Sequence, residues 1–228
     1  MSKTYMPVER AILTFLSILT ATFTLLLMIN FIGVGFVRLG LPPYLVVIII
    51  ILSFVGSAFN IPVAKLRGEE EIIQETYIQY MFYRIPVPQL VTQEYTTVLA
   101  VNLGGALVPI FVSFYLLYLH PELIIPAILD VLVISIIMYP MSKPVRGVGI
   151  VTPLLLPPLV TLFVSLFIWP FPGLPIVAYV GGTLGTLLGC DIFHLKDISN
   201  LGAPIASIGG AGTFDGIFLS GLLAVLLL

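Results

Sequence analysis

The chain has 228 residues, 59% of them hydrophobic and only 9% charged, with a net charge of −2. A soluble domain carries about 25% charged residues, so this composition, with a mean hydropathy of +1.18, is that of an integral membrane protein. No basic block is present, which removes the electrostatic footprint of a nucleic-acid binder, and the single cysteine, Cys190, leaves no intramolecular disulfide to form.

Only helices and closed barrels satisfy every backbone polar group inside lipid. Barrel strands alternate apolar and polar residues, and runs such as "PYLVVIIIILSFVGSAF" do not. Seven stretches approach the roughly 20 apolar residues a spanning helix needs: 11–37, 43–61, 97–119, 121–139, 150–169, 174–195 and 204–228. They predict an all-α membrane fold of about seven transmembrane helices, built as one polytopic domain over residues 1–228. The first run exceeds a signal-peptide core and lacks a small-x-small cleavage site, so it reads as a retained helix. With the N-terminus inside, Lys3, Arg10, Lys65, Arg67, Arg84, Lys143, Arg146 and Lys196 are cytoplasmic and only Arg38 is external, as the positive-inside rule asks.

Between the second and third helices lies a cytoplasmic loop, 62–96. It opens with the solvated cluster "KLRGEEE" and continues as "ETYIQYMFYRIPVPQLVTQEYTTV". Tyr, Ile, Val and Thr around a Pro-Val-Pro break favour strands, and predict an extended hairpin over 77–97. The competing reading is an interfacial amphipathic helix over 72–83, since Ile72, Ile73, Tyr77, Tyr80 and Met81 also fit helical spacing. Internal echoes, "AVNLGGALVPIFVS" against "ASIGGAGTFDGIFLS" and "IPVAKLRG" against "KPVRG", are compatible with duplicated halves, as in many transporters, or with glycine-rich helices alike by composition.

Ionisable residues inside membrane segments are costly and are functional candidates by default. Three carboxylates fall there: Asp130 in the fourth span, Asp191 near the cytoplasmic end of the sixth, and Asp215 in the seventh. The short connection "KDISNLGA" makes the sixth and seventh helices antiparallel neighbours. Asp191 then lies just below the surface, and Gly209, Gly210 and Gly212 make an unwound entry to Asp215 plausible. Two small-residue stripes, Gly181-Gly185-Gly189 and Gly212-Gly216-Ser220, permit close helix approach. Paired carboxylates in low dielectric share a proton; such a dyad activates water against a peptide carbonyl while protonating the departing group. The same pair also suits proton or cation binding.

"GTFDGIFLSGLL" resembles the second-aspartate motif of the GxGD intramembrane aspartyl proteases, the presenilin and signal-peptide-peptidase group, through Gly212 and the pattern at Asp215, Ile217, Phe218, Ser220 and Leu222. The resemblance implies a hydrolase with Asp191 and Asp215 as catalytic dyad on the sixth and seventh helices, no cofactor, and an extended edge that holds a transmembrane peptide substrate as a strand. Phe214 stands where the motif has its second glycine, "GC" precedes Asp191, and no Pro-Ala-Leu motif follows. Asn102, Gly209, Gly210, Gly212 and Phe214 are the candidate substrate-binding residues. More broadly, "AVNLGGALVP", "VRGVGI" and "GAPIASIGGAGTFDG" resemble an uncharacterised prokaryotic membrane family, a domain of unknown function, from about Arg84 onward. This implies the plasma membrane of a prokaryote and no activity.

Other readings weigh beside these. Asp215 also suits an N-cap after glycine, and Asp191 an interfacial residue reaching water beside Lys196. The acids with Asn102 suit a small-solute or ion transporter, and the glycines alone suit a non-catalytic scaffold. His194 between Asp191 and Asp197 lacks the second histidine or cysteine pair of a metal site, and "GGTLGTLLG" lacks the lysine of a P-loop.

Overall fold

The computed structural model describes residues 7–80, 82–145, 149–198, 202–212 and 215–228. In chain order, helices α1 (Pro7–Arg38) and α2 (Pro43–Gly56) lead into strands β1 (Asn60–Tyr80) and β2 (Tyr83–Asn102). A π-helical turn, Leu103–Leu107, then opens α3 (Val108–Leu119), followed by α4 (Ile124–Met141) and the short strands β3 (Lys143–Val145) and β4 (Gly149–Val151). Helices α5 (Leu156–Ile168) and α6 (Leu174–Thr186) come next. A second π-helical turn, Leu187–Ile192, leads to the single turn α7 (Leu195–Ile198), strand β5 (Ile205–Ile208) and α8 (Gly216–Leu227).

The fold is therefore not an all-α bundle of seven spans. Three helices are long and apolar enough to cross a membrane, Ile12–Arg38, Pro121–Met141 and Leu174–Ile192; Pro43–Gly56, Leu103–Leu119, Leu156–Ile168 and Gly216–Leu227 are shorter apolar helices. The expected spans fail at identifiable places. The second ends at Gly56, and Asn60 already belongs to β1; the third gives its first six residues to β2. The seventh splits, because Gly209 and Gly212 adopt left-handed backbone (φ 70° and 65°) that a continuing helix of L-residues does not tolerate. Apolarity alone ran through strand, turn and helix as one segment.

The expected hairpin exists and is far longer than 77–97. β1 and β2 pair antiparallel from Asn60↔Asn102 to Tyr80↔Tyr83, with one register shift between Pro62 and Ala64. At about 3.3 Å per residue, the ribbon is roughly 70 Å long. The helical reading of 72–83 is overturned, since this stretch carries the distal register of the ribbon. β-branched and aromatic residues suit a pleated surface better than a helix. Pro86 and Pro88 are tolerated because β2 has an open outer edge there: among the described residues its only other partner, β5, runs parallel to it over Val98–Val101 alone. The sheet order is β1-β2-β5, and β3 and β4 form a separate two-stranded sheet.

The helical core gathers Phe36, Val112, Leu116, Val177, Tyr179, Phe218 and Leu222, all nearly or fully buried. Phe36 meets the rings of Tyr179 and Phe218 edge-on at 5.9 and 6.3 Å. The glycine stripe of α6 faces α4: a Cβ at Gly181 would strike the Asp130 carboxylate, one at Gly185 would meet Ile134 at 2.8 Å, and one at Gly189 the Ser135 carbonyl at 2.6 Å. α6 meets α8 through other small residues, with a Cβ at Gly182 only 2.9 Å from the Gly221 Cα. A second apolar cluster, Leu99, Ala106, Ile198, Ile208 and Ile217, seats the sheet on the helices.

Candidate functional site

Asp191 lies on the π-helical turn that ends α6, and Asp215 on the loop before α8. π-helical turns add a residue to a helix and frequently occur at functional sites. The two carboxylates line the same pair of cavities. The larger cavity, about 360 Å³, runs along β5 and is bounded by Ile205, Ser207 and Gly210 on one side and Gly149 and Ile150 of β4 on another. The smaller, about 210 Å³, dips between the helices past Thr152, Pro157, Thr186 and Cys190. Ile150, Ala211 and both aspartates belong to each cavity, so the two meet at the carboxylates.

Asp215 is also the N-cap of α8. Its backbone is extended (φ −70°, ψ 150°). One carboxylate oxygen accepts from the Ile217 N–H at 3.0 Å, and the other accepts from the Ala211 N–H at 3.3 Å. The capping role foreseen for this residue is thus present, in a residue that also opens on a cavity. Asp191 accepts no side-chain hydrogen bond from the described residues, so its carboxyl is free to turn toward a ligand.

The loop that carries Asp215 rests on the first π-helical turn. A Cβ at Gly105 would collide with the Gly209 carbonyl and come within 2.6 Å of the Gly212 carbonyl. Asn102 holds that turn in place. It is fully buried; its Oδ1 accepts from the Gly105 N–H at 2.8 Å, and its Nδ2 donates to the Ser57 carbonyl at 2.8 Å and to Asn60 Oδ1 at 3.0 Å. Ser207 Oγ, on the cavity side, donates to the same Asn60 oxygen at 2.6 Å.

Of the candidate substrate-binding residues, Gly210 lines the larger cavity. Gly209 and Gly212 shape the turn behind it, and Asn102 lies beneath that turn rather than on the cavity wall. Phe214 lies outside the described residues. Asp130 sits apart: it packs against Gly181, which lies ten residues before Asp191, or about 15 Å along a helix. It is fully buried in α4; one oxygen accepts from Ser165 Oγ at 2.7 Å, and the other has no partner among the described residues. His194 lies under the Tyr139 ring, with centroids 4.6 Å apart, and its Nδ1 is 3.1 Å from the Cys190 carbonyl.

Reading the sequence missed β4, β5 and Thr186 as parts of this site. A strand of four residues gives almost no periodic signal. "VRGVGI" carries a family resemblance and "KPVRG" an internal echo, but neither marks Gly149 and Ile150 as the wall opposite β5.

A family model described as a protein of unknown function (DUF1614) matches residues 54–227. The chain belongs to the DUF1614 family. The DUF1614 match begins in α2, well before Arg84, and takes in the ribbon, β5 and both cavity aspartates. No curated protein and no solved structure matches the chain. None of these comparisons carries the resemblance to GxGD proteases, which rests on the residues around Asp215.

Proposed function

We propose that this protein is a multi-pass protein of the prokaryotic plasma membrane that hydrolyses peptide bonds with Asp191 and Asp215 as an aspartyl dyad. One observation carries the reading: both carboxylates border one cavity that runs along β5, a strand paired on one side only. A peptide laid along the open edge of β5 extends the sheet through main-chain hydrogen bonds and brings a carbonyl to the two acids. Asp215, with an N–H on each oxygen, is the ionised member and takes a proton from water. The resulting hydroxide attacks the carbonyl carbon. Asp191 gives its proton to the departing nitrogen as the C–N bond breaks, and the pair is reset by one proton moving between them.

The test is cleavage of a reporter transmembrane peptide by purified protein in lipid. Asn caps helices about as well as Asp, so Asp215→Asn keeps the cap while removing the acid. We expect cleavage by the wild type and its loss in both Asp191→Asn and Asp215→Asn, each with an unchanged melting profile. A folded wild type that cleaves none of a panel of peptides sinks the proposal.

A second reading, proton- or cation-coupled transport, is favoured by Asp130, a fully buried carboxylate with one unpartnered oxygen. Proteoliposome uptake that is abolished by Asp130→Asn and untouched by Asp191→Asn would select it.

A further inference from the structure

The larger cavity has a second wall that a peptide on β5 alone leaves unused. β5 lines one side and Gly149 and Ile150 of β4 line another, while no described residue of β2 or β3 touches it. β2 therefore lies behind β5, and β3 behind β4. The sheet β1-β2-β5 and the hairpin β3-β4 present their outer edges to one space, with Asp191 and Asp215 on its wall.

Strand pairing shows which main-chain groups face that space. Opposed residues of an antiparallel pair alternate between exchanging hydrogen bonds and exchanging none. Pro144 stands opposite Ile150 and has no N–H to give. This pair is the one without bonds, so the Ile150 N–H and C=O turn away from β3. On β5, Val98 is in register with Ile205, and its N–H donates to the Pro204 carbonyl at 3.0 Å. A residue in a parallel ladder bonds to the neighbours of its partner. Pro204, Ala206 and Ile208 thus face β2, and Ile205 and Ser207 turn their main chain outward. The Ser207 carbonyl accepts from the Gly210 N–H at 3.1 Å; the Ser207 N–H and both groups of Ile205 and Ile150 have no further partner among the described residues.

The side chain of Ile150 is anchored, packing against the cluster of Ile198, Ile208 and Ile217. Gly149 has φ 116°, a conformation that glycine alone takes readily, and a Cβ there would meet nothing within 4 Å. Crowding within the chain does not require this glycine. Glycine inside a strand often marks close approach by another backbone.

We infer that the β3–β4 hairpin is the second half of a peptide-binding groove: the peptide lies as a strand between β5 and β4, held by main-chain hydrogen bonds on both edges, in the order β1-β2-β5-peptide-β4-β3. The inference rests on the hydrolase reading for what the ligand is. A strand bonded on one edge uses the N–H groups of alternate residues; a strand between two edges uses both sets. Recognition through Ile150 reads the extended backbone and not the side chains it carries.

Binding tests the groove without turnover. Replacing one amide of a peptide by an ester removes a single N–H and adds no bulk. A transmembrane peptide and its single-ester analogues, one for each position in turn, are titrated against the Asp191→Asn protein in nanodiscs. The expected result is a loss on the order of tenfold for each net hydrogen bond removed, at positions an odd number of residues apart. Ile150→Pro, added to the same protein, removes the outward N–H of β4 and keeps its bonds to β3, a change an edge strand accepts. It should weaken the parent peptide by a similar factor with an unchanged melting profile, and Ile150→Val should not. If Ile150→Pro unfolds the protein, the ester series alone decides. Losses confined to alternate residues, no binding of the parent peptide, or a folded Ile150→Pro protein that binds it undiminished overturns the groove. Cleavage by the Asp191-containing protein is scored separately. Losses of both sets without any cleavage leave the groove standing and remove the hydrolase. Cleavage with losses at alternate residues only does the reverse.

Discussion

Asn102 illustrates how a polar residue in an apolar run can matter through the backbone it holds. Its amide satisfies one buried N–H and donates to two oxygens, so three groups lose a partner when it is removed. Of the three, the Gly105 N–H is buried and left unsatisfied, at a cost of about 1–3 kcal/mol, while the Asn60 oxygen keeps Ser207. Asn102→Leu is therefore expected to destabilise the protein by about 1–3 kcal/mol, read as a fall in the midpoint of thermal or denaturant unfolding in detergent. If Asn102 instead contacted substrate, the variant would melt like the wild type and lose binding alone. The sequence singled out this residue correctly as an unusual asparagine inside an apolar segment. Its partners, Ser57 and Asn60, were not legible, because they are distant in the chain and come close only through the β1–β2 register.

At the scale of elements, β5 decides the architecture of the site, and it was the least legible. Ile205–Ile208 reads as the start of an apolar helix, and only its parallel pairing with Val98–Val101 makes it a strand. The ribbon, by contrast, could be read from Tyr, Val, Ile and Thr around Pro-Val-Pro, though not its length. Its outer part is β1 and β2 alone, since β5 joins only at the base. Hence a chain with residues 71–92 removed, and Glu70 joined to its partner Gln93 through an Asn-Gly turn, is expected to keep its helical core and its cleavage of the reporter peptide. Loss of folding in that shortened chain would show that the outer ribbon contributes to the core.

At the scale of the molecule, the helices differ in how much protein surrounds them. None of the apolar window of α1 is buried within the protein, whereas 67% of the window in Leu174–Ile192 is. Only the last third of α1, through Ile32 and Phe36, joins the core. Removal of residues 1–28 thus takes away exposed apolar surface and, among the described residues, almost no packing, and the melting midpoint in detergent should stay within about 3 °C of the full chain, the scale of a 1 kcal/mol change in a domain this large. The same truncation should lower the fraction recovered in the membrane, because the longest apolar helix is gone. Composition points to a membrane chain, and three helices among the described residues, long and apolar enough to span, are compatible with that. It did not foretell that four apolar runs would fold into helices of 12–17 residues, because hydropathy cannot see where glycine, proline and strand pairing interrupt a run.

The contact of Gly105 with the Gly209 and Gly212 carbonyls has a mechanical side. Asp191 moves with α6, deep in the helices. Asp215 stands a few residues beyond β5, on a turn clamped against the root of the ribbon. One acid is thus set at the end of α6, and the other between the first turn of α8, which it caps, and a glycine joint at the root of a ribbon roughly 70 Å long. The tightness of a glycine joint, rather than the acids themselves, then sets how firmly the gap between the acids is held.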